Sequence, residues 1–162
     1  MMLRKRLRPF HNDERGTSTL EMGIVLPVLF TIGLGMFEFG NLIYSLHLIN
    51  SGVSDAARYA AGRSSTSTDV VADTKSIAMT GVKSGGSYRF SWWNNPSMVT
   101  VTYRNVPNTL ISCVKSYRGG DNIVMVSVST DVPYQALGFL GYLGLGPITL
   151  HAQHEERLYG VR

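Results

Sequence analysis

The sequence predicts an α+β fold: a long N-terminal helix, membrane-spanning in its first half and amphipathic in its second, packed against a small antiparallel sheet with short helices. Three observations predict it. Residues 22–37, "MGIVLPVLFTIGLGMF", carry no charge. Beyond Glu38, apolar side chains recur at Leu42, Leu46, Ile49, Val53, Ala56 or Ala57, and Ala60, in steps that trace one helical face. After residue 85 the pattern shifts to alternation between apolar and polar residues, the period of half-buried strands.

The first element is a helix from about Thr19 to Ala61. The sixteen uncharged residues span about 24 Å, short of the roughly 30 Å hydrocarbon core of a bilayer. The apolar run continues through "EFGNLIYSLHLI", interrupted by Glu38 and Asn41. Glu21 and Glu38 lie about 25 Å apart along a helix, so each can sit near a headgroup layer. Asn50, Ser54, Asp55 and Arg58 form the polar face of the second half. Pro27 falls inside the first half, where it removes a backbone hydrogen bond and can kink or loosen the helix. Gly62 is the stop, followed by the loop "RSSTSTD".

Next, "TDVVADTKSIAMTGV" reads as a short helix capped by Thr68 or Asp69, with Val70, Ile77 and Val82 on its buried side. "SYRFSWW", "NNPS" and "MVTVTY" read as strand, turn and strand, a hairpin. "NIVMVSVST" is the clearest strand, with Val124, Val126 and Val128 on one face; "PITLHAQHEERLY" is the last, with Ile148, Leu150 and Ala152 inward. "TLISCV" fits helix or strand equally. Val132 to Leu150 contains no charge, and its length would allow a second span. Pro133, Gly138, Gly141, Gly144, Gly146 and Pro147 punctuate it, so it reads as an apolar loop or short helix on the sheet or touching the membrane surface.

Composition agrees with a membrane setting. Hydrophobic residues make up 44% of the 162 and charged residues 16%, below the roughly 25% of a soluble average. The net charge of +4 is concentrated in residues 1–16, where five basic side chains face two acidic ones. A nucleic-acid binder would spread Lys and Arg over a folded face, which excludes nucleic acid as the expected partner. A basic segment directly before an apolar run instead marks the cytoplasmic side. The single cysteine, Cys113, can make no internal disulfide and reads as a small buried apolar residue.

Glu21 is the anomaly. An acid within a bilayer-length segment is costly and is read as functional by default. A basic leader, Gly16, and an apolar chain with an acid at its fifth position have the layout of a prepilin. Gly16 would precede the cut and Thr17 would be the new N-terminus. Cleavage would remove the leader's +3 and leave an ammonium on Thr17, one helical turn from Glu21, or within reach of Glu21 on a neighbouring subunit.

From Arg15 to Gly62 the chain resembles the TadE-like family, pseudopilins of the tight-adherence (Tad/Flp) pilus system. The resemblance rests on the Arg15-Gly16 junction, Glu21, Leu26-Pro27, the "FEFG" of Phe37–Gly40 and the "AARYAA" of Ala56–Ala61. The C-terminal "VSVSTDVPYQALGFLGYLGLGPITLHAQHEE" is similar more loosely. Met22 departs from the aromatic typical after the acid. The resemblance implies a pilin-like fold and a minor pilin or pseudopilin processed by a prepilin peptidase. It implies an inner-membrane location with the N-terminus cytoplasmic and the C-terminal part periplasmic, the extracellular pilus being the destination after assembly. Its implied partners are other pilins or pseudopilins and the pilus assembly platform. On this view residues 1–16 are a removable leader, 17–62 the long helix and 63–162 a periplasmic domain. Glu21, Pro27 and Glu38 are the expected assembly residues, Glu38 at the outer interface or a helix–helix contact.

Other readings predict different behaviour. An uncleaved signal anchor holding a periplasmic binding module would keep its first residue and be indifferent to Glu21. A secretory signal peptide would need an A-x-A-like site soon after the apolar run, and the first alanine cluster is at Ala56. Gly33, Gly35 and Gly40 lack GxxxG spacing, so close helix approach is weakly signalled. No enzyme is expected, and no cofactor: there is no GxSxG, P-loop or GxGxxG. His151 and His154 with Glu155 and Glu156 lack the HEXXH spacing, and in a strand the two histidines face opposite sides. Trp92 and Trp93 read as a core residue with an exposed neighbour, or as a surface-binding pair.

Overall fold

The computed structural model describes residues 15–63, 66–111, 114–115, 117 and 120–159. The basic leader up to residue 14 and Cys113 lie outside them. Helix α1 runs Arg15–Ala61 and α2 Thr68–Thr80. A 3-10 turn at Pro96–Met98 leads into β1, Val99–Pro107. Two-residue strands β2 (Leu110–Ile111) and β3 (Val114–Lys115) pair in the connection to β4, Asn122–Pro133. A short helix α3, Phe139–Tyr142, precedes β5, Thr149–Arg157. The fold is α+β, as the sequence predicts.

The chain divides into two compact units, residues 1–40 and 41–162. In the first, α1 is helical from Arg15, four residues before the expected start, and passes through Pro27 without interruption. The Thr31 hydroxyl donates to the Pro27 carbonyl at 2.8 Å.

The second unit holds Asn41–Ala61 of α1 and the sheet. The sheet is antiparallel in the order β1-β4-β5, with β4 central. Val126, Val128 and Val132 of β4 are buried on one face, next to Leu150 and Ala152 of β5 and beside Val99 of β1. Ile49, Val53, Ala56, Ala57, Ala60 and Ala61 of α1 share one cluster with them, together with Ile77, Ala78 and Met79 of α2. The i, i+4, i+7 and i+8 spacing of the α1 residues makes this possible. The other sheet face is polar: Gln153 donates to Ser127 at 3.1 Å, and Arg104 pairs with Glu155 at 2.7 Å. One buried and one solvated face is the usual arrangement of a small antiparallel sheet.

Gly52 sets the α1–α2 approach. A Cβ placed there would lie 2.3 Å from the Ala78 carbonyl oxygen and 3.2 Å from Trp93. Only glycine lets the two helices close to that distance.

The structure corrects three local expectations. Residues 87–95 are bends and turns, not the first strand of a hairpin. Their aromatics pack on one another: Phe90 stacks on Trp92 at 4.6 Å, and Trp93 is fully buried in the core. The backbone N–H of Arg89 bonds the Met79 carbonyl, which ties the segment to α2, and β1 takes β4 as its partner. The cap of α2 is Ser67 rather than Thr68 or Asp69. Val82 is exposed because α2 ends at Thr80, with Gly81 in the left-handed conformation at φ 82°, so Val82 no longer follows the helical face. The ambiguous "TLISCV" contains the short β2 and the first residue of β3. The buried Asn108 side chain ties Tyr117 and Gly120 to the end of β1: its amide donates to the carbonyls of Tyr117 and Gly120 and its oxygen accepts from the Tyr117 N–H.

Candidate functional site: the apolar half of the long helix

Residues 16–40 form a helical surface that is apolar nearly all round. Leu20, Ile24, Val28, Leu29, Phe30, Ile32, Leu34 and Phe37 are all exposed. A soluble chain does not leave so many large apolar side chains in water along one element. Gly16–Ala61 is the one helix among the described residues long and apolar enough to cross a membrane, and its most apolar window is wholly unburied.

The expected site residues distribute along this segment. Gly16 and Thr17 are exposed and lie in the first turn of the helix. Nothing stands within 4 Å of where a Gly16 Cβ would be, so the junction is open to approach. Its backbone is helical, and an extended backbone there requires the first turn to open. Glu21 is exposed and has no ion-pair partner among the described residues. Gly16, Thr19, Leu20, Gly23 and Ile24 line a shallow hollow on this segment. Pro27 contributes no N–H to its turn, so the carbonyl four residues earlier, that of Gly23, loses its helical donor.

Glu38 behaves differently from Glu21. It is 1% exposed, and it is engaged rather than isolated. Its burial, and that of Gly35, has no sequence signal beyond the interruption of an apolar run; burial depends on tertiary packing that periodicity does not encode.

In the second unit the polar groups near β5 form pairs rather than a metal cluster. His151 contacts Asp131 at 2.7 Å on the solvated face, and His154 contacts Glu156 at 3.0 Å on the core side, where Arg58 also approaches Glu156 at 3.9 Å. The strand geometry sends the two histidines to opposite faces. His47, on α1, is exposed.

No curated protein and no solved structure matches the chain. A family model does: residues 16–58 match that of the TadE-like protein family. The match covers the apolar half of α1, both junction residues, Glu21, Pro27 and Glu38, and most of the amphipathic half. Over residues 16–58, then, the chain is similar to the TadE-like family, within the Arg15 to Gly62 stretch that carries the resemblance.

Proposed function

We propose that the protein is a processed minor pilin or pseudopilin that takes part in assembling a Tad/Flp-type adhesive pilus or a related secretion machine. The TadE-like match suggests a Tad-pilus-associated protein. The observation that carries the finer reading is the exposed apolar helix 16–40 with an exposed Glu21, without an ion-pair partner among the described residues, one turn beyond an accessible Gly16–Thr17 junction. In this reading the chain enters the inner membrane with residue 1 in the cytoplasm and residues 63–162 in the periplasm. A prepilin peptidase cuts after Gly16. Glu21 then pairs with the Thr17 ammonium of its own or a neighbouring subunit, a pairing strongly favoured over an unpaired acid in low dielectric. The role is structural and not catalytic, and the partners are the peptidase, other pilins and the assembly platform.

The deciding measurement is the N-terminal sequence of the protein purified from native membranes. A start at Thr17 supports the proposal. A start at Met1 or Met2 replaces it with an uncleaved anchor holding a binding module, and a start beyond Phe37 indicates a secretory signal. For Glu21→Ala, membrane insertion is expected to persist while processing or assembly fails; normal pilus assembly by that variant would refute the role of Glu21.

A further inference from the structure

The charge-free connection between β4 and β5 has a place in the fold that its composition alone does not give. The Tyr134 N–H bonds the Ile148 carbonyl at 2.8 Å and closes the base of the loop. Leu140 is buried and pins α3 inward, and the Leu145 N–H bonds the Leu140 carbonyl. The loop is therefore ordered, yet Leu137, Tyr142, Leu143 and Leu145 are exposed, Tyr142 at 81%.

Its position along α1 follows from contacts at both ends of β5. The Asn41 side-chain amide donates to the Tyr134 hydroxyl at 2.8 Å. At the other end, Arg58 approaches Glu156, and the Tyr159 N–H bonds the Ala61 carbonyl. Asn41 to Arg58 is about 26 Å of helix, and Ile148 to Glu156 is about 26 Å of strand. The strand thus runs alongside the helix, and the loop closes the sheet at the Asn41 end. Asn41 directly follows the apolar segment 16–40 in the chain. Ile43 and Tyr44, also at that end of the unit, are exposed too.

We infer that the 134–148 loop is a second membrane contact, lying in the headgroup region beside the emerging helix. The inference rests on the membrane-anchored reading above. The occupant is the bilayer surface because the patch adjoins the point where the chain leaves its apolar segment. No charge interrupts it between Val132 and Leu150, and the most exposed of its large apolar side chains is Tyr142, whose amphipathic ring favours the membrane interface.

The test uses the full chain in vesicles of phosphatidylethanolamine and phosphatidylglycerol, with lipids that carry a nitroxide either near the headgroup, to report position 142, or midway along an acyl chain, to report position 29. In a Cys113→Ser background, single cysteines at Leu29→Cys, Tyr142→Cys and Asp69→Cys carry an environment-sensitive dye. Position 29 reports the anchor, and exposed Asp69, at the start of α2, reports the far end of the unit, since Asp73 one turn on bonds Tyr59. The expected result is strong quenching at 29 and 142 and none at 69. Quenching at 29 with a water-like, unquenched dye at 142 overturns the inference and leaves the anchor standing. A blue-shifted but unquenched dye at 142 assigns the patch to another protein surface and also overturns it. Absence of quenching at 29 overturns the anchored reading and the inference with it.

Discussion

Helix α1 carries two kinds of surface. From Gly16 to Gly40 its large apolar side chains are exposed, whereas between Asn41 and Ala61 one stripe, Ile49, Val53, Ala56, Ala57 and Ala60, is fully buried while Ile43 and Tyr44 at the start of this stretch stay exposed. The second stretch found its partner within the chain: the sheet and α2 take up the stripe of Ile49, Val53, Ala57 and Ala60. The first stretch must find its partner elsewhere. The two halves differ in how apolar residues are arranged more than in how many there are. A stripe matches one neighbour, while an apolar cylinder matches a solvent that surrounds it, namely lipid.

Paired substitutions test that contrast. The largest effect is expected from charge. Ala57→Asp places an uncompensated carboxylate in the core and should destabilise the folded unit by ~3–5 kcal/mol, read by thermal unfolding of the detergent-solubilised chain. Leu29→Asp should leave that unfolding transition in place and instead weaken membrane insertion by about 3 kcal/mol, read by carbonate extraction. If both substitutions moved the same readout, the division of the helix would be wrong. Glycine gives a smaller contrast. Gly52→Ala drives a methyl into the Ala78 carbonyl and should cost about 1–3 kcal/mol. Gly33→Ala meets nothing within 4 Å and should leave stability unchanged or raise it by up to about 1 kcal/mol.

The smallest effect concerns Tyr103, whose buried hydroxyl has no hydrogen-bond partner among the described residues. Burial raises its pKa above the ordinary 10.0. Because the folded value is the higher one, the associated stability is fully present below pH 10.0 and is lost as pH rises through the folded value. Tyr103→Phe should change stability at neutral pH by less than about 1 kcal/mol and remove this alkaline loss, measured by denaturant unfolding across the alkaline range.

Much of this architecture is legible in the residues. The stripe on α1 and the alternation of β4 are each carried by periodicity over many positions, and both strands after Asn122 follow their expected faces. The hairpin fails for a physical reason. Tyr88, Phe90 and Trp92 alternate as a strand would, but stacking of Phe90 on Trp92 and burial of Trp93 use the aromatics locally. The true partner of β1 lies beyond a long connection, and no local pattern encodes that pairing. The site divides similarly. Gly16, Glu21 and Pro27 can be read from order and spacing. The difference between exposed Glu21 and buried Glu38 cannot, because two acids in one apolar run look alike in sequence.

The bond from the Tyr159 N–H to the Ala61 carbonyl joins residues 98 positions apart. Contacts of such separation slow folding, because much chain must be ordered before they form. During synthesis the stripe on α1 is made well before the strand that runs beside it. Until β5 is complete, Ile49, Val53 and Ala57 lack part of their cover. Truncation within the final dozen residues should therefore yield a chain that inserts normally but is degraded quickly, a defect of maturation and not of targeting.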